Sequence, residues 1–267
     1  MNVEKPSREL SFGEIFSLTF NLYGSKFLQF FVPFLISAII TGLCTYVVTS
    51  YFPIPEPPVI PTNPDPTYIY DVLGPWFSSL ISAVIVLVVL SGLVSWILNS
   101  IVYGIATKNA SDHLETGTSN LGASFSYTLS KLPWLLPAQL IVGILVVAGM
   151  LLFIVPGVII AIMFSLVIPA IIVEQKGIFE SLGRSRLLVS QRWANTFIIL
   201  LISGIIVGFP LGVVNAVVSY LSVPLIVSSL VTNVAAAFLA PIFPIALTCL
   251  YYSMLTRENP PPPPTLQ

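Results

Sequence analysis

Charge is what this sequence has least of. Of its 267 residues only 8% are Asp, Glu, Lys or Arg and 56% are hydrophobic, with a mean hydropathy of +0.97, whereas soluble chains carry about 25% charged residues. The deficit excludes an ordinary water-soluble domain and leaves a polytopic membrane protein. A net charge of -1 argues nothing about nucleic acid, which is not an expected partner. Histidine occurs once and cysteine twice. Cys44 and Cys249 fall inside apolar stretches, where they act as small apolar residues and define no disulfide framework. Asp112-His113-x-Glu115 gathers three potential metal ligands, but no second ligand cluster exists to complete a site, and it reads as a solvated loop. Phosphate-cradling and nucleophile-elbow motifs are missing as well. Neither an enzyme nor a cofactor is expected.

What is present is a set of long uncharged runs. Between Lys131 and Glu174 lie 42 residues without a charged side chain, between Asp71 and Lys108 36, and between Arg192 and Arg257 64. A hydrocarbon core about 30 Å thick takes roughly 20 helical residues. The runs therefore predict six spans, over 27–51, 77–105, 132–155, 157–173, 194–217 and 223–255, forming one integral membrane domain over 1–257. Val155-Pro156-Gly157 is expected to turn the central hairpin, and Ser222-Val223-Pro224 to break the last pair. Residues 258–267 are expected to be a disordered proline-rich tail. Between the first two spans, 52–76 holds eight prolines, among them Pro53, Pro55, Pro57, Pro58, Pro61, Pro64 and Pro66, which favour an extended, exposed outer loop.

Lys5, Arg8 and Lys26 precede span one, Lys108 and Lys131 follow span two, Lys176, Arg184, Arg186 and Arg192 follow span four, and Arg257 ends span six. With six spans all ten cations share one face. The positive-inside rule then places both termini in the cytoplasm of a multi-pass cell-membrane protein.

Three segments combine helical periodicity with too much polarity to cross: Phe12, Ile15, Phe16, Phe20 and Tyr23 behind a Ser11-x-x-Glu14 capping box; Leu121, Phe125, Leu129 and Leu132; and Ile178, Phe179, Leu182 and Leu187. Each reads as a helix in the cytoplasmic interface plane. Aligning Ser11 with Asn120 matches Gly13 with Gly122, Phe16 with Phe125, Ser17 with Ser126 and Thr19 with Thr128, and Glu180 takes the place of Glu14 in a third copy. The expected fold is all-α: six transmembrane helices with three interfacial helices, in three two-span repeats.

Asn99-Ser-Ile-Val-Tyr-Gly-Ile-Ala106, Leu151-Leu-Phe-Ile-Val-Pro-Gly-Val-Ile-Ile-Ala161, and Pro169-Ala-Ile-Ile-Val-Glu174 followed by Ile178-Phe-Glu-Ser-Leu-Gly-Arg-Ser-Arg-Leu-Leu188 resemble the membrane domain attached to some glycerophosphoryl diester phosphodiesterases and its stand-alone integral membrane relatives. The resemblance implies a six-helix domain without chemistry of its own. The soluble catalytic barrel of those enzymes has no counterpart here onto which acid, base or metal residues can be carried.

The functional expectation is a non-catalytic scaffold or lipid-associated accessory protein. Lys26, Lys131, Arg184, Arg186 and Arg192, with Trp134 and Trp193, are expected at headgroup level, contacting membrane lipids or a protein partner in the membrane or cytoplasm. Ser91, Ser95 and Asn99 form an i+4 stripe suited to interhelical hydrogen bonding. Gly204, Gly208 and Gly212 form a face suited to close helix packing. A transporter for an uncharged or lipidic substrate is the alternative; Tyr103, Gln139, Asn195, Asn215 and Asn233 supply polar groups without charge.

Overall fold

The computed structural model describes residues 5–60, 62, 66–221, 223 and 225–258. Of the expected tail over 258–267, Glu258 is the last residue of a helix and not disordered, and 259–267, with Pro61, Pro64 and the Ser222 and Pro224 flanks of the expected break, lies outside them. Among the described residues all regular structure is helical: α1 Phe12–Ser25, α2 Phe27–Tyr51, α3 Pro66–Tyr68, α4 Gly74–Thr116, α5 Leu121–Leu152, α6 Ile154–Met163, α7 Val167–Val173, α8 Ile178–Ser190, α9 Trp193–Tyr220, α10 Leu225–Leu239 and α11 Ile242–Glu258. Six stretches are long and apolar enough to cross a membrane: α2, Tyr70–Thr116, α5, Ile154–Val173, α9 and Val227–Glu258.

The capping box forms as the sequence dictates: Glu14 N donates to Ser11 Oγ at 3.5 Å and Ser11 N donates to the Glu14 carboxylate at 2.8 Å. Asn120 Oδ1 likewise accepts from Ala123 N at 3.1 Å. The helix it starts, however, does not stop where polarity gives way to hydrophobicity. The second amphipathic segment is the first third of α5, so it is not a separate helix. Similarly α4 continues through the expected polar loop to Thr116. At 43 residues and about 1.5 Å per residue it is roughly twice the length of a hydrocarbon crossing, so one end must project.

The hairpin turn is also displaced. Phe153 alone, extended at φ -161° and ψ 153°, separates α5 from α6. Pro156 sits in the first turn of α6, where a missing N–H costs nothing. Gly157 serves for approach instead of turning: a Cβ there would lie 2.8 Å from Met150 N, and one on Gly149 would lie 2.9 Å from Gly157 Cα.

Two spans are discontinuous. Pro169 lies four residues after Ser165 and Pro244 four after Ala240, and a proline ring clashes with the carbonyl at i−4; the chain breaks at 164–166 and at 240–241. Pro33, Pro133, Pro137 and Pro210 are carried inside continuous helices, so proline alone does not break a span here. The broken spans are also the most enclosed. Their apolar windows are 39% and 61% buried, against 6 to 22% in the other four.

The main core joins Leu22, Phe30, Ala106, Leu166, Ile245 and Tyr251, all in the half of the bundle that carries Lys26, Lys108, Arg184 and Arg192. Toward the other end, α4 around Ile81–Leu93 and α9 beyond Leu201 expose apolar side chains of the kind that hydrocarbon covers. The proline loop folds back onto the start of α4, where Tyr68 Oη donates to Val59 O at 2.8 Å and Trp76 Nε1 to Pro55 O at 3.4 Å.

Candidate functional site

The cation-bearing end is a knitted polar layer centred on α11. Its consecutive tyrosines point to different neighbours: Tyr251 Oη donates to Glu174 at 2.7 Å, and Tyr252 Oη donates to Glu115 at 2.6 Å while accepting from Ser111 at 2.7 Å. Arg184 bridges two carboxylates, with Nε 2.9 Å from Glu174 and Nη2 2.6 Å from Glu258. Partial burial alone would weaken its charge, yet the two carboxylates outweigh this and hold the guanidinium pKa above its ordinary value. Arg192 pairs with Glu9 at 2.5 Å. The N-terminal segment is strapped down as well, by Leu10 N donating to Ser253 Oγ at 2.8 Å and Thr256 Oγ1 donating to Pro6 O at 2.9 Å.

This layer divides the expected headgroup residues. Arg184 and Arg192 are consumed by ion pairs within the chain. Lys131 donates to Gln175 Oε1 at 3.3 Å and lies 5.5 Å and 5.6 Å from the ring centroids of Tyr127 and Trp134. Trp134 and Trp193 remain 42% and 41% exposed, Trp193 stacked on Phe197 at 5.7 Å. Arg186 is exposed and Lys26 half-buried, and neither forms an ion pair among the described residues. Asp112, His113 and Glu115 do not converge: Asp112 pairs with Lys108 at 2.7 Å and Glu115 serves Tyr252.

Both packing expectations need correction. Nothing lies within 4 Å of a Cβ placed on Gly204, Gly208 or Gly212, which face outward, so among the described residues no helix packs on this glycine face. Asn99 is exposed, Ser95 half-buried, and the buried Ser91 Oγ has no partner among the described residues. The working stripe lies one residue on, about 100° around the helix. Ser100, fully buried, shares its proton between Trp96 O at 2.8 Å and Gln139 Oε1 at 3.2 Å. Asn109 accepts from Ser124 at 2.7 Å and donates to Gln29 O at 3.3 Å. The hydrophobic pattern alone left this register ambiguous, because α4 is apolar on every side along its middle.

Two of the cavities bear on function. The inner one, about 470 Å³, lies where the two broken spans meet: Phe164, Ser165 and Pro169 line it from one, Phe243 and Pro244 from the other, and Tyr103 and Phe197 line it as well. The buried Thr107 hydroxyl on its wall has no hydrogen-bond partner among the described residues. The outer one, about 600 Å³, lies at the opposite end of the bundle between α2, α9 and α10. Asn215 and Asn233 belong to it. No family model, no curated protein and no solved structure matches the chain.

Proposed function

We propose that this chain is a non-catalytic, multi-pass protein of the cell membrane, a lipid-associated scaffold whose inner cavity seats a lipid chain. The observation that carries the reading is the apolar cavity of about 470 Å³ flanked by both broken spans. Its lining is almost wholly hydrocarbon and aromatic, its volume falls in the usual range for ligand sites, and inside a bilayer the apolar molecules at hand are acyl chains. Exposed Arg186, half-buried Lys26 and the Lys131–Trp134 pair lie at the same end of the bundle as headgroup contacts. Ten cations at that end support cytoplasmic termini.

Three two-span repeats gain support from equivalent positions. Thr19, Thr128 and Ser185 share one register of the aligned segments, and all three are fully buried. Thr19 and Thr128 each donate to the carbonyl four residues before, at 2.7 Å and 2.8 Å. The interfacial placement of α1 and α8 belongs to the same reading.

Native mass spectrometry of the detergent-extracted protein tests the assignment. The wild type retains a lipid, and Ala161→Trp, which fills the cavity, loses it. Absence of any retained lipid, or retention unchanged in A161W, rejects the reading. A permease for an uncharged or lipidic substrate is the second reading, favoured because discontinuous spans at a shared cavity are how many transporters build a substrate site; substrate flux in proteoliposomes distinguishes it.

A further inference from the structure

The outer crevice is lined mainly by polar side chains without charge. Ten of its thirteen lining residues carry hydrogen-bonding side chains, and none is Asp, Glu, Lys, Arg or His. Thr41, Thr45 and Thr49 form an i+4 ladder down the α2 wall. On α9 and α10, Asn215 Nδ2 donates to Leu211 O at 2.9 Å and its Oδ1 accepts from Thr232 Oγ1 at 3.3 Å, which fixes that amide. Thr49 Oγ1 is spent on its own helix, within 2.9 Å of Thr45 O and 3.0 Å of Tyr46 O.

Asn233 is different. Its Nδ2 lies where a Cβ on Gly42 would come within 2.8 Å, so glycine at 42 is what lets the amide lie against α2. The Asn233 amide and the Thr41 and Thr45 hydroxyls have no side-chain hydrogen bond among the described residues. Thr41 is about 21 Å along α2 from its cation-bearing start, at 1.5 Å per residue. The crevice thus reaches from the helix ends near Ser219 to roughly half the bundle's depth.

Polar side chains at such depth are costly against lipid, and they concentrate where a cavity or partner satisfies them. The chemistry of the lining limits what enters. An ion would find no counter-charge in a low-dielectric wall, and an apolar ligand would strand the Asn233 amide and the Thr41 and Thr45 hydroxyls. Tyr46, 51% exposed, adds a flat aromatic face beside hydrogen-bonding groups.

We propose that this crevice binds a neutral polyhydroxyl group of the sugar class, entering from the end of the bundle opposite the cations. Two sources share that chemistry, a free sugar and the headgroup of a neutral glycolipid. The site is distinct in lining and position from the inner cavity, and it stands or falls independently of the lipid reading above.

The test uses the full chain in phosphatidylcholine nanodiscs. Calorimetric titration with glucose and with sucrose forms the free-sugar arm, native mass spectrometry of discs containing monogalactosyl diacylglycerol forms the glycolipid arm, and gluconate is the charged control. Saturable binding in one neutral arm, with gluconate about tenfold weaker or more, is the expected result. Thr45→Val with Asn233→Leu should lower that affinity about tenfold, as loss of one or two hydrogen bonds does, without lowering Tm. No saturable binding in either arm, equal binding of gluconate, or unchanged affinity in the double variant overturns the proposal. If the double variant does not fold, labelling of Thr45→Cys by an impermeant maleimide decides: protection by the bound sugar supports the site, and unaltered labelling overturns it.

Discussion

Ser185 on α8 closes the break in the fourth span: its Oγ accepts from the Leu166 N–H at 3.1 Å and donates to Met163 O at 2.8 Å. Leu166 and Ser185 are both fully buried, so one hydroxyl satisfies two backbone groups that the helix interruption would otherwise orphan. Ser185→Ala should therefore cost more than a surface change: about 1–3 kcal/mol for each stranded group. The expected result is a lowered Tm in detergent for S185A, with Arg186→Ala at the exposed neighbour within about 0.5 kcal/mol of wild type. Equal melting of the two variants would contradict this role.

Glycine substitutions should separate into two classes. A Cβ at Gly157 would collide with Met150 Cγ and lie 2.8 Å from the Met150 backbone nitrogen, so Gly157→Ala must push α5 and α6 apart. Gly204→Ala, Gly208→Ala and Gly212→Ala meet nothing within 4 Å and remove a helix-interior glycine, for a change of zero to about 1 kcal/mol in the stabilising direction. Thermal unfolding of the four variants checks the contrast, which reverses what a glycine stripe in a membrane helix would suggest.

Headgroup binding and stability should likewise part company among the cations. Arg184→Ala leaves Glu174 and Glu258 without their shared partner and should lower Tm, as breaking a partly buried charge network does. Lys26→Ala with Arg186→Ala should leave Tm near wild type and reduce anionic lipid retained in native mass spectrometry. Lipid loss in R184A at unchanged Tm would contradict this division of roles.

The start of α1 should be acid-sensitive. Hydrogen bonds from Arg8, then from the Ser11 backbone and hydroxyl, hold the Glu14 carboxyl down at about 2 from an ordinary value of 4.5. A pKa lower in the folded state means the folded form binds fewer protons, so the contribution is present above about 4.5 and is lost as pH falls toward about 2. Melting followed from pH 6 to pH 2 should show this loss, and Glu14→Gln should abolish that part of the pH dependence. The group is exposed, so the effect is small.

Topology has a direct check. In intact cells, an impermeant maleimide should label Val59→Cys, in the loop at 90% exposure, and should reach Arg186→Cys only after lysis. Labelling of both from one compartment would reject cytoplasmic termini and the six-crossing order together.

Much of the helical organisation was legible because hydrocarbon imposes a one-dimensional rule. Runs of 36, 42 and 64 uncharged residues are long and apolar enough to be crossings, and the cations between them then sit at their ends, whatever packs against what. The Ser11 and Asn120 caps were equally readable, since a cap is decided within four residues. Contacts between helices were not. On α4, apolar on all sides for most of its length, a stripe at Ser91, Ser95 and Asn99 and one through Ser100 differ by a single residue, and only the position of Gln139 on α5 selects Ser100. The same holds for Arg184 and Arg186: identical in type and two residues apart, they differ because Glu174 and Glu258 converge on one and leave the other exposed. The sequence by itself determined how many times the chain can cross and which end carries the charge, because transfer of a side chain between water and hydrocarbon is a property of the residue. Which glycines pack, which arginines pair, and where the two cavities open were decided only by tertiary structure, because each depends on a partner distant in the chain.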